Sequence, residues 1–365
     1  MGRAGEGVAF EVGRPRWEET RVAPVPRSDA LDDGQVELRV DRFALTANNV
    51  TYAVAGEMLD YWGFFPAEEG WGRIPVMGFG DVLRSAHPDV DEGERYFGFF
   101  PMATHLTIQA KPHPEGVVDA APHRSGHAPV YRQYTRTKDD PLWSADGEDA
   151  LMLLRGLFLT SFLIDDFVED NARFGARRLV VSSASSKTSI ALAFQAAQRE
   201  GLEVVGLTSP AHTAFVEGLG FYDTVLSYDA IESIPSDVPS IFVDMAGNAD
   251  VVRRIHDVLG PALRHHAMVG ATHWQAGGPS PGEPAVEPVF FFAPAQAGKR
   301  AAEWGAAGLQ ARLADAWGRF AKSTPDWLEV RRHSGPDAVA AVYADTLAGR
   351  TEPRHGNVLS LWAED

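Results

Sequence analysis

The sequence predicts an α/β protein in which a largely β domain precedes a doubly wound parallel sheet. Two observations carry this. From about Val8 to Leu106, short β-like runs such as Gln35–Val40, Ile74–Val82 and Tyr96–Phe99 are separated by glycine and proline. From Leu179 onward, apolar strand-like runs alternate with helical patterns, the signature of parallel β-α-β units. A chain of 365 residues, 45% of them hydrophobic, is long enough for two domains of ordinary size.

Taken in order, Lys111–Asp149 is polar and dotted with proline, which predicts a long surface excursion. Asp149–Val168 reads as an apolar helix pair. Strands are expected at Leu179–Ser182, Val204–Thr208, Thr224–Ser227, Ser240–Met245 and Ala267–Thr272, with helices at Thr188–Glu200, Ala211–Leu219 and Asp250–Leu259. Gly201 and Gly260-Pro261 punctuate the first and third helices. A proline-rich loop then follows Gly277 and ends in Phe290–Phe292. Beyond it the pattern gives a helix at Leu309–Lys322, a strand at Leu328–His333, a helix at Asp337–Leu347 and a strand at Gly356–Trp362.

The segment Leu179–Ala196, LVVSSASSKTSIALAFQA, joins a strand to a helix through a turn of small hydroxyl residues around one lysine. A strand that turns tightly into a helix N-terminus aims backbone N–H groups and the positive end of the helix dipole at an anion. Ser182, Ser183, Ser185, Ser186, Thr188 and Ser189 add hydroxyl donors, and Lys187 adds a charge suited to phosphate. A dinucleotide pyrophosphate is the guest such a turn fits, although no glycine of a G-x-G-x-x-G fingerprint occurs between Ala176 and Gly201. The plain alternative is a serine-capped helix after a buried strand. Doubly wound sheets bind ligands beyond the carboxyl ends of their strands, which is where this turn falls.

Bulk properties narrow the field further. With 33 basic and 50 acidic residues the formal charge is −17, so the general footprint for nucleic acid or an anionic membrane is missing. The absence of cysteine excludes disulfides, thiolate zinc sites and a cysteine nucleophile. The N-terminus lacks a signal-peptide core and no apolar run approaches the roughly 20 residues of a membrane span, so a cytoplasmic protein is expected. His265-His266, or His123 with His127, lack a carboxylate at helical spacing, and no metal site is expected.

The order of motifs resembles the medium-chain dehydrogenase/reductase superfamily, in its zinc-free quinone and enoyl reductase branch. VELRVDRFALTANNVTYAVAG is similar to the family's early strand and Asn-containing active-site segment. In the glycine-rich barrel stretch, Gly93, Glu94, Arg95 and Tyr96 stand where the family has Gly-Asp-Arg-Val, and Thr160-Ser161 where it has Thr-Ala. VVSSASSKTSIALAF, EVVGLTSPAHTAFVEGLGFYDTVLSYD, IFVDMAGNADV and HHAMVGATHW follow in family order. The resemblance is nearest to a bacterial subgroup in which Ser-Ser-Ala-Ser-Ser-Lys-Thr replaces the glycines. It implies a GroES-like β domain over 1–150 and 333–365, a Rossmann-like domain over 151–332, and GNVLSLW as the returning strand. Gly356-Asn357 stands where the family often has Gly-Lys. Many relatives are dimers, so the resemblance also allows a homodimer.

For the cofactor, the second strand ends Gly206-Leu207-Thr208-Ser209-Pro210 without the carboxylate that holds ribose hydroxyls in NAD-specific sites. Thr208 and Ser209 are donors for a 2′-phosphate, or a helix cap; with Lys187 they favour NADP(H) over NAD(H). By resemblance, Asp244 and Gly247, with Gly270, Ala271 and Thr272, border the adenosine ribose and the nicotinamide. Asn48, Asn49, Thr51 and Tyr52 occupy the segment that faces the nicotinamide in related reductases. Tyr52 is the first choice as proton donor, its alternative being a half-buried aromatic. Tyr61–Pro66 reads as core in preference to a pocket wall, and Arg73 and Arg95 are candidate anion anchors if not ion-paired. Tyr131 and Tyr134 receive no role.

These readings point to an NADPH-dependent, zinc-free reductase of an activated C=C or C=O, acting on a small-molecule enone, enoyl thioester or quinone. A non-redox lyase or hydrolase on the same fold and a non-enzymatic nucleotide sensor are the alternatives.

Overall fold

A computed structural model describes residues 7–269 and 286–363 of the chain. Its strands, in order, are β1 (Gly7–Gly13), β2 (Thr20–Val25), β3 (Gln35–Leu45), β4 (Trp71–Gly72), β5 (Pro75–Ser85), β6 (Arg95–Pro101), β7 (His105–His113), β8 (Gly116–Asp119), β9 (Gln133–Arg136), β10 (Arg178–Val181), β11 (Glu203–Thr208), β12 (Thr224–Ser227), β13 (Ser240–Asp244), β14 (Leu263–Met268), β15 (Val289–Phe290), β16 (Glu329–Ser334) and β17 (His355–Ser360). The α-helices are α1 (Ala47–Val54), α2 (Glu148–Asp170), α3 (Lys187–Ala196), α4 (Thr213–Gly218), α5 (Ala249–Leu259), α6 (Ala293–Ser323) and α7 (Pro336–Leu347). The chain divides into two compact units, one made of the residues up to Leu153 together with those from Leu328, the other of Leu154–Trp327.

In the first unit, β3, β5, β6, β9, β8 and β7 pair in that order, and β7 pairs back onto β3 to close a barrel. Strand β3 pairs with β5 along one edge and divides the other between two partners: Gln35–Arg39 pairs with β7 and Phe43–Leu45 with β17. Register irregularities at Glu37/Leu38 and Val40/Arg42 bend it between the two. The core combines alternate residues of the barrel strands, such as Val36, Leu38 and Val40, with Phe100, Tyr134 and Tyr343. Buried carboxylates fasten the outer layers: Glu37 accepts from Arg27 and Arg84 at 2.6 Å each, and Glu11 from Arg21 and Arg73.

The expected surface excursion at Lys111–Asp149 is corrected. Strand β7 runs to His113, β8 and β9 complete the barrel, and Tyr134 and Arg124 are fully buried. Single anchors between polar, outward-facing residues carry this segment, which is why its average composition reads as loop.

The second unit is a parallel sheet in the order β12-β11-β10-β13-β14-β15. Its direction of strand addition reverses between β10 and β13, as in a Rossmann-like doubly wound fold. Val180, Val205, Leu207 and Phe242 pack with Val251 and Ile255 of α5. Three sequence expectations change. Asp149–Val168 is one continuous helix, α2, because Gly156 alone disfavours helix by only about 1 kcal/mol. The helix at Leu309–Lys322 begins at Ala293 and kinks at Gly305, whose φ is 74°. The fifth strand is Leu263–Met268, not Ala267–Thr272: Arg264-His265-His266 hid it by breaking the apolar run. No described helix is long and apolar enough to cross a membrane.

Candidate functional site

In the second unit the site grows out of the end of β10. Ser183 takes φ = 50°, the left-handed conformation that glycine ordinarily supplies in a phosphate-binding turn. Its backbone N–H donates to the Tyr228 hydroxyl at 2.9 Å, and its carbonyl accepts from Ser186 N–H at 2.7 Å. Ala184 is fully buried; its N–H donates to Leu207 O and its carbonyl accepts from the Tyr222 hydroxyl. A Cβ added to Gly206 of β11 would lie 2.9 Å from the Ala184 methyl and 2.7 Å from the Tyr222 ring. The glycine that close packing demands has therefore moved from the turn to the neighbouring strand.

Ser186 caps α3, accepting the Ser189 N–H at 3.2 Å. The buried Ser189 hydroxyl returns to Ser182 O at 3.0 Å. Ser185 lies 3.2 Å from His212 Nδ1. Lys187 and Thr188, both half-buried, open the helix, and Thr188 O accepts from Ser161 of α2 at 2.7 Å. Burial pushes the Lys187 ammonium down to about 8, which leaves it mostly charged at neutral pH. The result is a turn whose form is fixed by its own hydroxyls, beside a helix N-terminus and a cation.

At the switch point, the Ser182 hydroxyl donates to Asp244 at 2.7 Å and accepts the Met245 and Ala246 N–H groups. The buried Asp244 carboxylate also accepts from Gly247 N–H, where φ = 66° calls for glycine. Asp244 thus turns onto its own loop and binds two strand ends together. Thr208, at the end of β11, is 1% exposed, and its hydroxyl has no hydrogen-bond partner among the described residues. Ser209 precedes the turn Pro210–His212 and accepts from His212 N–H through its carbonyl; its side chain makes no cap bond. Gly270, Ala271 and Thr272, and most of the proline-rich loop after Gly277, lie outside the described residues.

In the first unit, Asn48, Asn49, Thr51 and Tyr52 lie on α1. The Asn49 amide is engaged at both ends, accepting from Thr46 N–H at 2.8 Å and donating to Pro75 O at 3.0 Å, so this buried side chain ties α1 to the barrel. Thr51 is half-buried. Asn48 donates to the Tyr52 phenol oxygen at 3.0 Å. A phenol oxygen fixed as an acceptor keeps its own hydrogen to give elsewhere. Burial raises the Tyr52 phenol, and a neighbouring phenol, Tyr131, raises it further, so it stays protonated across the physiological range.

Around Tyr52 stand Tyr61, with ring centroids 4.6 Å apart, and Phe99 at 6.3 Å. Tyr61, Trp62, Phe64 and Phe65 are buried and form core, with Tyr52 packed on the same cluster. The reading of Arg73 and Arg95 as anion anchors is corrected: Arg73 binds the buried Glu11, and Arg95 binds Asp41, Asp81 and Glu148 at 2.6–2.8 Å. Three acidic partners leave Arg95 no charge to offer a substrate.

The histidines separate. His265 stacks on Phe174 with centroids 4.1 Å apart, whereas His266 Nδ1 lies 2.9 Å from His256 Nε2, and His127 Nε2 lies 2.9 Å from Asp60. Sequence reasoning named Ser182 as a hydroxyl donor of the turn but missed the bracing roles of Ser161, Tyr222 and Tyr228, which hold the turn from other elements.

The sequence matches, over residues 43–352, the family described as Protein of unknown function (DUF2855). The chain belongs to the DUF2855 family. No curated protein matches this DUF2855 sequence. Solved structures share its architecture. CurK enoyl reductase is 16% identical, with a TM-score of 0.57 over 97% of this chain and 99% of that one. The NADPH complex of CurA from Vibrio vulnificus is 11% identical, with a TM-score of 0.58 over 99% of both chains. Mycobacterial Rv1454c, complexed with NADPH, is 16% identical, with a TM-score of 0.56 over 97% and 99%. The fold of this DUF2855 protein is thus a GroES-like barrel joined to a Rossmann-like sheet.

Proposed function

We propose that this protein is an NADP(H)-dependent, zinc-free reductase of an activated C=C or C=O of the enone, enoyl thioester or quinone type. The observation that carries the proposal is the serine turn, held left-handed at Ser183 and followed by Lys187, at the carboxyl end of the central strand β10. Hydroxyl donors, a helix N-terminus and an ammonium group fit a pyrophosphate. The buried, unpartnered Thr208 hydroxyl and the absence of a carboxylate at the end of β11 fit a phosphorylated ribose in preference to a free one. The structural likeness to two NADPH complexes supports the same cofactor.

When bound, NADPH supplies a hydride. This chain's residues then have three tasks. Ser185, Ser186, Lys187 and Thr188 hold the phosphates, Asp244 and Gly247 shape the adjoining loop, and Tyr52, set by Asn48, donates a proton to the reduced acceptor.

Titration with NADPH, followed by nicotinamide fluorescence, is expected to saturate below millimolar cofactor. Lys187→Ala is expected to weaken NADPH by about tenfold, equal to about 1.4 kcal/mol. No binding at millimolar NADPH overturns the proposal. Turnover of substrate without nicotinamide points to the lyase or hydrolase alternative.

A further inference from the structure

We propose that His212, in the short turn after β11, is the residue that selects a phosphorylated ribose over a plain one; this rests on the NADP(H) reading above. The charge pattern singles it out. Between Arg199 and Arg253 the sequence holds no lysine, no arginine and one histidine, His212. That stretch spans β11, β12 and β13, and the end of its first strand is where a doubly wound sheet meets the ribose of a dinucleotide. Sites for a 2′-phosphate commonly place an arginine there, and this stretch has none to place.

The fold sets His212 beside the serine turn. Ala184 N–H donates to Leu207 O at 2.9 Å, which ties the turn after β10 to the end of β11. Ser185 follows Ala184 on one side of that bond, and Thr208 follows Leu207 on the other. The chain then rounds Pro210–His212, where His212 N–H donates to Ser209 O at 3.0 Å. This brings His212 Nδ1 to 3.2 Å from the Ser185 hydroxyl, 27 positions earlier in the chain. Ser185 is the one hydrogen-bond partner of the His212 ring among the described residues, and the ring is half-buried.

The chemistry of an imidazole held in this way suits a phosphate. With the Ser185 hydroxyl donating to Nδ1, the ring carries its hydrogen on Nε2 and is a donor there. Ser185 then serves the pyrophosphate through its backbone N–H. A hydrogen bond to an ionised oxygen is roughly twice as strong as one to a neutral hydroxyl, so an Nε2 donor favours the phosphorylated ribose. The Thr208 hydroxyl, buried and without a partner among the described residues, is a second donor at the same strand end. A contact that only tied two loops together would serve both cofactors alike. Discrimination between them is what marks His212 as a selecting residue.

The full chain is titrated with adenosine 2′,5′-bisphosphate and adenosine 5′-monophosphate by calorimetry, and with NADPH and NADH by nicotinamide fluorescence. The unmodified chain is expected to prefer the phosphorylated member of each pair by at least about tenfold. His212→Asn keeps a polar group near the place of Nδ1 and removes Nε2. It is expected to weaken the 2′-phosphorylated ligands about tenfold and to leave the plain ones within about twofold. His212→Phe, which keeps a ring and removes both nitrogens, is expected to lose the same preference, so the outcome does not depend on the folding of one variant. His212→Gln, whose amide reaches the place of Nε2, is expected to restore most of it. Equal weakening of both members of a pair, or an unchanged preference in His212→Asn and His212→Phe, overturns the proposal. If the unmodified chain binds neither NADPH nor the bisphosphate at millimolar concentration, the cofactor reading falls and this one with it. NADPH preferred over NADH with both variants silent removes this one alone.

Discussion

At the residue scale, the exchange between Ser183 and Gly206 explains how a tight strand-to-helix turn forms without glycine in it. A side chain in the left-handed region costs roughly 1–2 kcal/mol, and Ser183 offsets that through the bond from its N–H to Tyr228. Close helix packing is kept because Gly206 leaves space for Ala184 and Tyr222. Ser183→Gly is expected to hold or raise the urea midpoint, whereas Ser183→Val is expected to lower stability by about 1–3 kcal/mol, since a β-branched residue is poorly accommodated at φ > 0. The hydroxyl pattern of this turn was legible in the sequence, because a small-residue turn between strand and helix has few uses. The left-handed position was not: serine carries no signal for φ, and its support comes from Tyr228, 45 residues away. The choice of Asn48 and Tyr52 rested on resemblance, to which the structure adds the hydrogen bond between them. Arg124 was hidden, since an arginine between Pro122-His123 and Ser125-Gly126 reads as surface until the Phe64 and Phe65 rings are seen around it.

At the scale of elements, strands with uninterrupted apolar character, such as β11 and β13, stood out, and the strand carrying histidines did not. Strand β14 buries His265 against Phe174 and His266 against His256 of α5, so its polar letters belong to two packed faces. Burial, with His256 and His265 nearby, lowers the His266 pKa from 6.5 to about 3. The unfolded imidazole binds a proton below about 6.5 and the folded one only near 3, so acidification across that window favours the unfolded chain. The urea midpoint of the sheet unit is expected to fall from pH 6.5 downward. His266→Phe should flatten that fall while lowering stability at neutral pH by about 1–3 kcal/mol, because His256 loses its partner. An unchanged acid slope in His266→Phe would place the proton uptake elsewhere.

For the whole molecule, both units respond to acid through buried histidines, and the barrel through a buried carboxylate as well. In the barrel unit burial works against the Glu37 carboxylate, yet Arg27 and Arg84 hold its pKa down from 4.5 to about 2. Its stabilisation is complete above about 4.5 and is lost as pH falls toward 2. His105 of the barrel, whose pKa burial lowers from 6.5 to about 4, takes up a proton on unfolding over the same range as His266. Both units are therefore expected to lose amide protection as pH falls below 6.5, with Glu37 adding a further loss in the barrel toward pH 2; hydrogen exchange read by mass spectrometry follows the two separately. Full amide protection of the barrel at pH 4 would contradict this. The division into units also bears on synthesis. Leu154–Trp327 forms one uninterrupted stretch, while β3 draws a partner, β17, from residues more than three hundred positions later. A ribosome delivers the sheet unit whole while the barrel still waits for its closing edge, so the later-completed unit is the one begun first, and the exposed flank of β3 is the nascent chain's point of greatest need for a chaperone.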